Sequence, residues 1–150
     1  MFGFHTKIVE SGSRLVITNP ADTIMLILFM VFTVWPLLIF INQRPMPVRK
    51  VVICSVITLI VYGFSINATR LVLNRDTQTA TVSHFQWFHW STREFPMTRI
   101  ASAFLATGNG TDRIVLQYTD GDTLTFSIPN QMGGKAGAVL AINRFLGREP

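Results

Sequence analysis

Residues Arg113 to Ile128 read RIVLQYTDGDTLTFSI. Asp120-Gly121 at the centre is tight-turn chemistry, because glycine enters left-handed backbone without a steric cost. Leu124, Phe126 and Ile128 alternate with Thr123, Thr125 and Ser127. One face of such a strand meets a core and the other meets water. The stretch predicts a hairpin of strands Arg113–Tyr118 and Asp122–Ile128.

Working upstream, Arg99 to Ala106 reads as a strand before the turn Thr107-Gly108-Asn109-Gly110. Arg93 to Phe95 is a short strand stopped by Pro96, which cannot donate to a ladder. Thr79 to Trp90 reads as one long strand, bent near Gln86. Arg70 to Leu73 is another, ended by the polar turn Asn74-Arg75-Asp76-Thr77. Downstream, the period changes. Val139, Ile142 and Phe145 or Leu146 fall at helical spacing within Lys135 to Leu146, and Gly147 ends the segment. A meander closed by one helix is an α+β layer pair. At the other end of the chain, Thr6–Val9 and Arg14–Thr18 flank Ser11-Gly12 as a second hairpin. It is placed to join the sheet of the later domain.

Between these parts the composition shifts. Ile24 to Ile41 reads IMLILFMVFTVWPLLIFI, 18 residues with no charge. A helix of that length reaches about 27 Å, close to the hydrocarbon thickness of a bilayer. Val51 to Ile66 reads VVICSVITLIVYGFSI, and Asn67 to Thr69 complete a second crossing. The link contains Pro45 and Pro47 and is short enough only for a tight turn. The expected fold is therefore an α+β membrane protein. A two-helix transmembrane hairpin (segment 20–69, spans about 23–43 and 51–69) is inserted between an N-terminal β segment (1–19) and a β domain (70–150). A cleaved signal peptide does not fit, because no small-residue cleavage site follows and a second apolar run comes at once.

Charge supports the same division. The net charge is +5. Arg44, Arg49 and Lys50 give the link +3 with no acid, whereas the part from Arg70 onward carries eight basic and six acidic residues. A nucleic-acid binder concentrates basic charge on its folded domain, so no nucleic acid is expected as a partner. The link points instead to lipid headgroups. The two tests of orientation conflict. The link residues favour a cytoplasmic link; Lys7, Arg14, Arg70 and Arg75, and a first segment with no export signal, favour a cytoplasmic domain. The expectation is a multi-pass protein of a bacterial inner membrane with its soluble domain in the cytoplasm.

The order of parts resembles a family. Leu71-Val72-Leu73-Asn74-Arg75 follows the second apolar run, and Arg93-Glu94-Phe95-Pro96-Met97-Thr98-Arg99-Ile100 lies mid-domain. Asp120-Gly121-Asp122-Thr123-Leu124 precedes the last helix, and Ala141-Ile142-Asn143-Arg144-Phe145-Leu146-Gly147 lies within it. Together these look like the small bacterial two-span membrane proteins that carry a pleckstrin-homology-like (PH-like) domain. The layout is also similar to the thylakoid assembly factor for photosystem I. The resemblance implies a scaffold, an assembly factor or an accessory subunit of a membrane protein complex. It carries over no catalytic centre and rests on pattern, not on a signature motif.

Catalysis and metal chemistry are not expected. No G-x-S-x-G turn, Cys-His context or pair of carboxylates flanking a cleft is present. Cys54 stands alone within an apolar run, where it reads as a small apolar residue. Strict alternation puts His84 and His89 on opposite faces of the long strand, and no further ligand joins them at metal spacing. No cofactor motif is found, since the glycines match neither a phosphate loop nor a dinucleotide fingerprint.

The unusual stretch is Phe85-Gln86-Trp87-Phe88-His89-Trp90. Alternation places Phe85, Trp87 and His89 on one face and Gln86, Phe88 and Trp90 on the other. A small sheet buries only one of these. Core packing accounts for one face. The other reading is a docking surface of Phe85, Trp87, Phe88, Trp90, Arg93 and Arg99. The expected function is a membrane-anchored interaction module that binds another integral membrane protein or complex; the alternative is a module that binds lipid headgroups with no protein partner.

Overall fold

A computed structural model describes residues 5–19, 67–86, 89–108, 110–127 and 133–148, together with positions 31, 38, 53, 56, 57 and 60. Two antiparallel sheets and the helix Lys135–Phe145 hold most of the regular structure among them. The first sheet runs β1 (Lys7–Ser11), β2 (Arg14–Asn19), β3 (Ala68–Asn74), β4 (Thr79–Gln86) and β5 (His89–Pro96), in that order. A 3-10 turn at Met97–Arg99 leads into the second sheet of β6 (Ile100–Gly108), β7 (Thr111–Tyr118) and β8 (Thr123–Thr125). Helix α1 (Lys135–Phe145) packs on β6 and β7 and reaches β2.

Register explains the core. Across β2 to β5 the pairing aligns Leu15, Leu73, Ala80 and Phe95 in one row and Ile17, Leu71, Val82 and Arg93 in the next. In a strand, residues two apart share a face. The leucines and isoleucines of these rows are therefore sealed inward, with no exposed surface. They meet Ile100, Ala103, Ile114, Leu116 and Phe126 of the second sheet and Ala138, Ile142 and Phe145 of α1 in one cluster. Phe126 and Phe145 are its largest members. Removing such a ring from a filled core costs about 3–5 kcal/mol. Gly134 starts α1 at φ +88°, and a Cβ there would lie 3.3 Å from the Thr6 carbonyl oxygen. The same contact region ties the N-terminal hairpin to the helix, since the Thr6 N–H donates to the Gly133 carbonyl at 3.1 Å.

β2 and β3 are adjacent and fully paired although far apart in the chain, with Asn19 opposite Thr69. Residues 20–67 thus leave and rejoin the first sheet at neighbouring positions.

The fold expected from the sequence requires correction. The described architecture is mostly β, and no helix among the described residues is long and apolar enough to cross a membrane. The expected α+β membrane fold with a two-helix transmembrane hairpin is overturned by this finding. The multi-pass localisation in a bacterial inner membrane falls with it. Most of the two stretches read as spans, 23–43 and 51–69, lies outside the described residues, as do Arg44, Arg49 and Lys50. Where the second stretch is described at its end, Ala68 and Thr69 open β3 and do not finish a helix. The ladders on both sides of β3 set that boundary, because pairing with β2 and β4 satisfies its backbone. An apolar run reports that a segment avoids water, but not which element it forms or what covers it. Ile53, Val56, Ile57 and Ile60 have helical backbone, are spaced as one helical stripe, and are each about half exposed.

A second correction concerns Thr79–Trp90. It is two strands, β4 and β5, reversing between Gln86 and His89. Residues 87 and 88 lie outside the described residues.

Candidate functional site

The reversal after Gln86 changes which residues share a face. Phe85 pairs with Trp90, and Gln86 with His89. Phe85 and Trp90 therefore lie together on the outer face of the sheet, their rings 5.3 Å apart and tilted by 51°. Trp90 remains 48% exposed. His84, Gln86 and His89 lie together on the inner face, so the expectation that the two histidines face opposite ways is also corrected. Strict alternation holds only within one strand, and a reversal resets it.

The proposed docking residues thus separate. Phe85 and Trp90 form the outer aromatic pair. Arg93 belongs to the inner face, in the row of Ile17, Leu71 and Val82. Arg99 lies on the 3-10 turn beyond β5. Trp87 and Phe88 lie outside the described residues.

An open groove follows the inner face of β5. One part, about 390 Å³, is lined by Val82, His84, Gln86, His89, Ser91, Arg93 and Leu124. It adjoins a part of about 620 Å³ where Arg93 and Leu124 recur with Glu94, Phe95, Arg99, Tyr118, Asp122 and Thr123. The groove exists because β8 is only three residues long. Leu124 is the single residue of β8 facing inward opposite this part of β5. After Thr125 the chain turns back to β7: the Phe126 N–H donates to the Ile114 carbonyl at 2.9 Å, and Ser127 Oγ accepts from the Ile114 N–H at 2.6 Å. Among the described residues the inner face of β5 is left uncovered, and Arg93 is exposed although its row neighbours are sealed.

The two arginines differ in what holds them. Arg99 pairs with Asp120 at 3.0 Å and its guanidinium lies 4.7 Å from the Tyr118 ring centre. Phe95 meets the same ring edge-on at 5.5 Å. The Arg99 hydrogen bond, helped by the Asp122 N–H, holds the Asp120 carboxyl below its usual range. Burial pushes the Tyr118 phenol up, and Arg99 and Arg93 oppose that shift. Arg93 makes no ion pair among the described residues. Its charge is felt by His84, whose imidazole lies below its ordinary value through burial first and the Arg93 charge second.

His84 also belongs to a polar row. Asn19, Thr69, His84 and Ser91 are aligned across β2 to β5. Burial falls along it, from Asn19 and Thr69, which are sealed, to Ser91, which is exposed. The Asn19 amide and the Thr69 hydroxyl have no hydrogen-bond partner among the described residues. Each unmet buried polar group costs about 1–3 kcal/mol. Among the described residues no group of three His, Cys, Asp or Glu side chains is placed to hold a metal ion.

The edges of the sheets are treated unequally. α1 closes the edge of β6 at Ala103, where Asn143 bonds both backbone polar groups. At β1, Glu10 pairs with Arg144 of α1 at 2.8 Å. β5 is exposed along almost all of its length and, among the described residues, pairs only with β4. The Met97 N–H bonds the Gln78 carbonyl at 2.8 Å just beyond the β4–β5 ladder, and the register runs on without a bulge. In an antiparallel pair the bonded rows alternate. His89, Ser91, Arg93 and Phe95 therefore direct their backbone groups to β4, and Trp90, Thr92 and Glu94 direct theirs to the free edge. Sequence reasoning marked Phe85, Trp90 and Arg93 but missed this edge and set His84 and His89 on opposite faces. Recognising the reversal between Gln86 and His89 is the signal that corrects both.

No protein-family model matches this chain, and no curated protein matches it.

Proposed function

We propose that the β domain is a PH-like interaction module that takes an extended segment of a partner protein along the free edge of β5. It would serve as a scaffold, an assembly factor or an accessory subunit. The observation that carries this reading is the eight-residue β5, exposed and, among the described residues, unpaired on one side above an open groove. Proteins usually blunt such edges because they template pairing with other chains. Here α1 bonds the β6 edge at Ala103, and β1, though exposed, is tied to α1 through Glu10 and Arg144, whereas β5 lines a groove and has no such tie among the described residues. Strand addition would draw affinity from the backbone groups of Trp90, Thr92 and Glu94, and selectivity from side chains entering the groove. The split of the meander into two sheets with a closing helix supports the PH-like reading of the domain. The lipid-headgroup alternative is less favoured. Arg75 is spent on the end of α1, Arg99 on Asp120, and Arg70 lies on the outer face of β3. Arg93 and Arg113 stand on different sheets and do not make a headgroup pocket.

The test is selection of a random short-peptide display library on the immobilised full chain, followed by affinity measurement on Thr92→Pro. Proline there removes an outward N–H and leaves the β4 ladder intact. Peptides that bind the wild type and lose at least about tenfold affinity on Thr92→Pro support the reading. Glu94→Pro serves as the second variant if Thr92→Pro does not fold. Peptides that bind both proline variants equally would remove β5 as the docking edge.

A further inference from the structure

We infer that the segment docked on β5 is acidic, with a carboxylate facing Arg93 in the groove. This rests on the β5 docking reading and names the chemistry of its partner.

Three observations converge on it. First, Arg93 is an exposed cation with no ion pair among the described residues, whereas Arg99 and Arg144 each have a carboxylate partner. Second, no carboxylate lines the part of the groove that holds His84, His89, Ser91 and Arg93. The acids of the neighbourhood are placed elsewhere. Asp120 is bonded to Arg99, and Asp122 and Glu94 line the adjoining part, Glu94 from a position that alternates to the opposite face of β5 from Arg93. Third, the geometry of strand addition sorts side chains. A segment paired to β5 alternates faces as β5 does. Its inward side chains lie beside Ser91 and Arg93, and its outward ones lie beside Trp90, Thr92 and Glu94.

The two faces therefore make opposite demands. An acid turned inward meets a guanidinium that presents a planar fork matched to a carboxylate. An acid turned outward at the same register meets Glu94, which repels it. The preferred segment is extended, with a carboxylate at an inward position and a neutral or apolar side chain at the outward position against Trp90. The pairing also favours one register, because a slip by one residue moves the acid from Arg93 to Glu94.

The experiment uses the peptides selected above on the full chain. The expected result is that Asp or Glu is enriched at one position of the alternating pattern. Those peptides should weaken about tenfold or more on Arg93→Gln, and by a similar factor when their own acid is replaced by its amide. Repeating the selection on Arg93→Glu should replace the acid with Lys or Arg. Selected peptides that need the β5 edge but show no acidic position, and bind Arg93→Gln as well as the wild type, would overturn the charge pairing and leave β5 docking standing. Loss of the β5 requirement itself, read on Thr92→Pro, would instead remove the docking reading. If Arg93→Gln fails to fold, Arg93→Lys replaces it, with a smaller loss expected because the fork is gone and the charge remains.

Discussion

The side chain of Asn143 grips the Ala103 peptide from both sides. Its Oδ1 accepts from the Ala103 N–H at 2.8 Å, and its Nδ2 donates to the Ala103 carbonyl at 2.9 Å. One carboxamide thus stands in for the neighbouring strand that the β6 edge lacks. The β6 edge is thus closed at Ala103, whereas among the described residues no strand or helix bonds the outer edge of β5.

Removing that grip should be costly. Asn143→Ala leaves two backbone groups unmet at a buried residue, and the expected loss is about 1–3 kcal/mol by urea denaturation. Asn143→Asp keeps the acceptor but turns a second oxygen toward the Ala103 carbonyl. It should lose at least as much at neutral pH. Part of that loss should return in acid, where a protonated carboxyl donates. Wild-type stability in both variants would show that α1 does not depend on this contact.

Arg75 holds the far end of the same helix. Its Nη2 donates to the Phe145 carbonyl at 2.6 Å, its Nε at 3.2 Å, and its guanidinium lies 4.3 Å from the Phe145 ring centre. The last carbonyls of a helix lack internal partners, and a cation there also suits the helix dipole. Arg75→Ala should cost about 1–2 kcal/mol. Arg75→Lys should restore less than half of it, because an ammonium cannot make both bonds and stack. Full rescue by lysine would reduce the contact to simple charge.

His84 makes stability depend on pH in a stated direction. Burial first, and the Arg93 charge second, hold its folded-state pKa below the ordinary 6.5. The unfolded chain therefore binds more protons near that value, and stability rises with pH through the window. The contribution is full above 6.5 and is lost as the unfolded-state imidazole protonates. On going from about pH 7 to about pH 5, His84→Gln should flatten the decline in stability. Arg93→Gln should flatten it less, since burial is the larger cause. An unchanged slope in His84→Gln would mean that another group sets the decline.

Much of the β domain is legible in the amino-acid sequence. Asp120-Gly121 turns the β7–β8 hairpin, with Gly121 at φ +91° and the Asp122 N–H bonded to the Asp120 carboxylate. Lys135 to Leu146 is helical through Phe145, although the sealed face is Ala138, Ala141, Ile142 and Phe145, and Val139 is only partly buried. Small alanines allow α1 to approach β6 closely, a preference that apolar spacing alone does not express. The candidate site is legible in composition but not in arrangement. Phe85, Trp90 and Arg93 stand out as residues, yet the aromatic pair and the arginine occupy opposite faces.

Turns, strand alternation and the helical period can be read from the chain because they depend on residues two to four apart. The turn at Gly121 and the polar and apolar faces of the strands are of this kind. The pairing of Asn19 with Thr69, the sharing of one face by His84 and His89, and the open edge of β5 were decided by tertiary structure. Each follows from where the chain reverses and which distant segment returns to pair. The reversal between Gln86 and His89 moves the later side chains to the other face from the one alternation predicts, and a short β8 leaves a groove that no local pattern announces. The apolar stretches mark the same limit. Their composition states an aversion to water, and the element that satisfies it is fixed by contacts along and between segments.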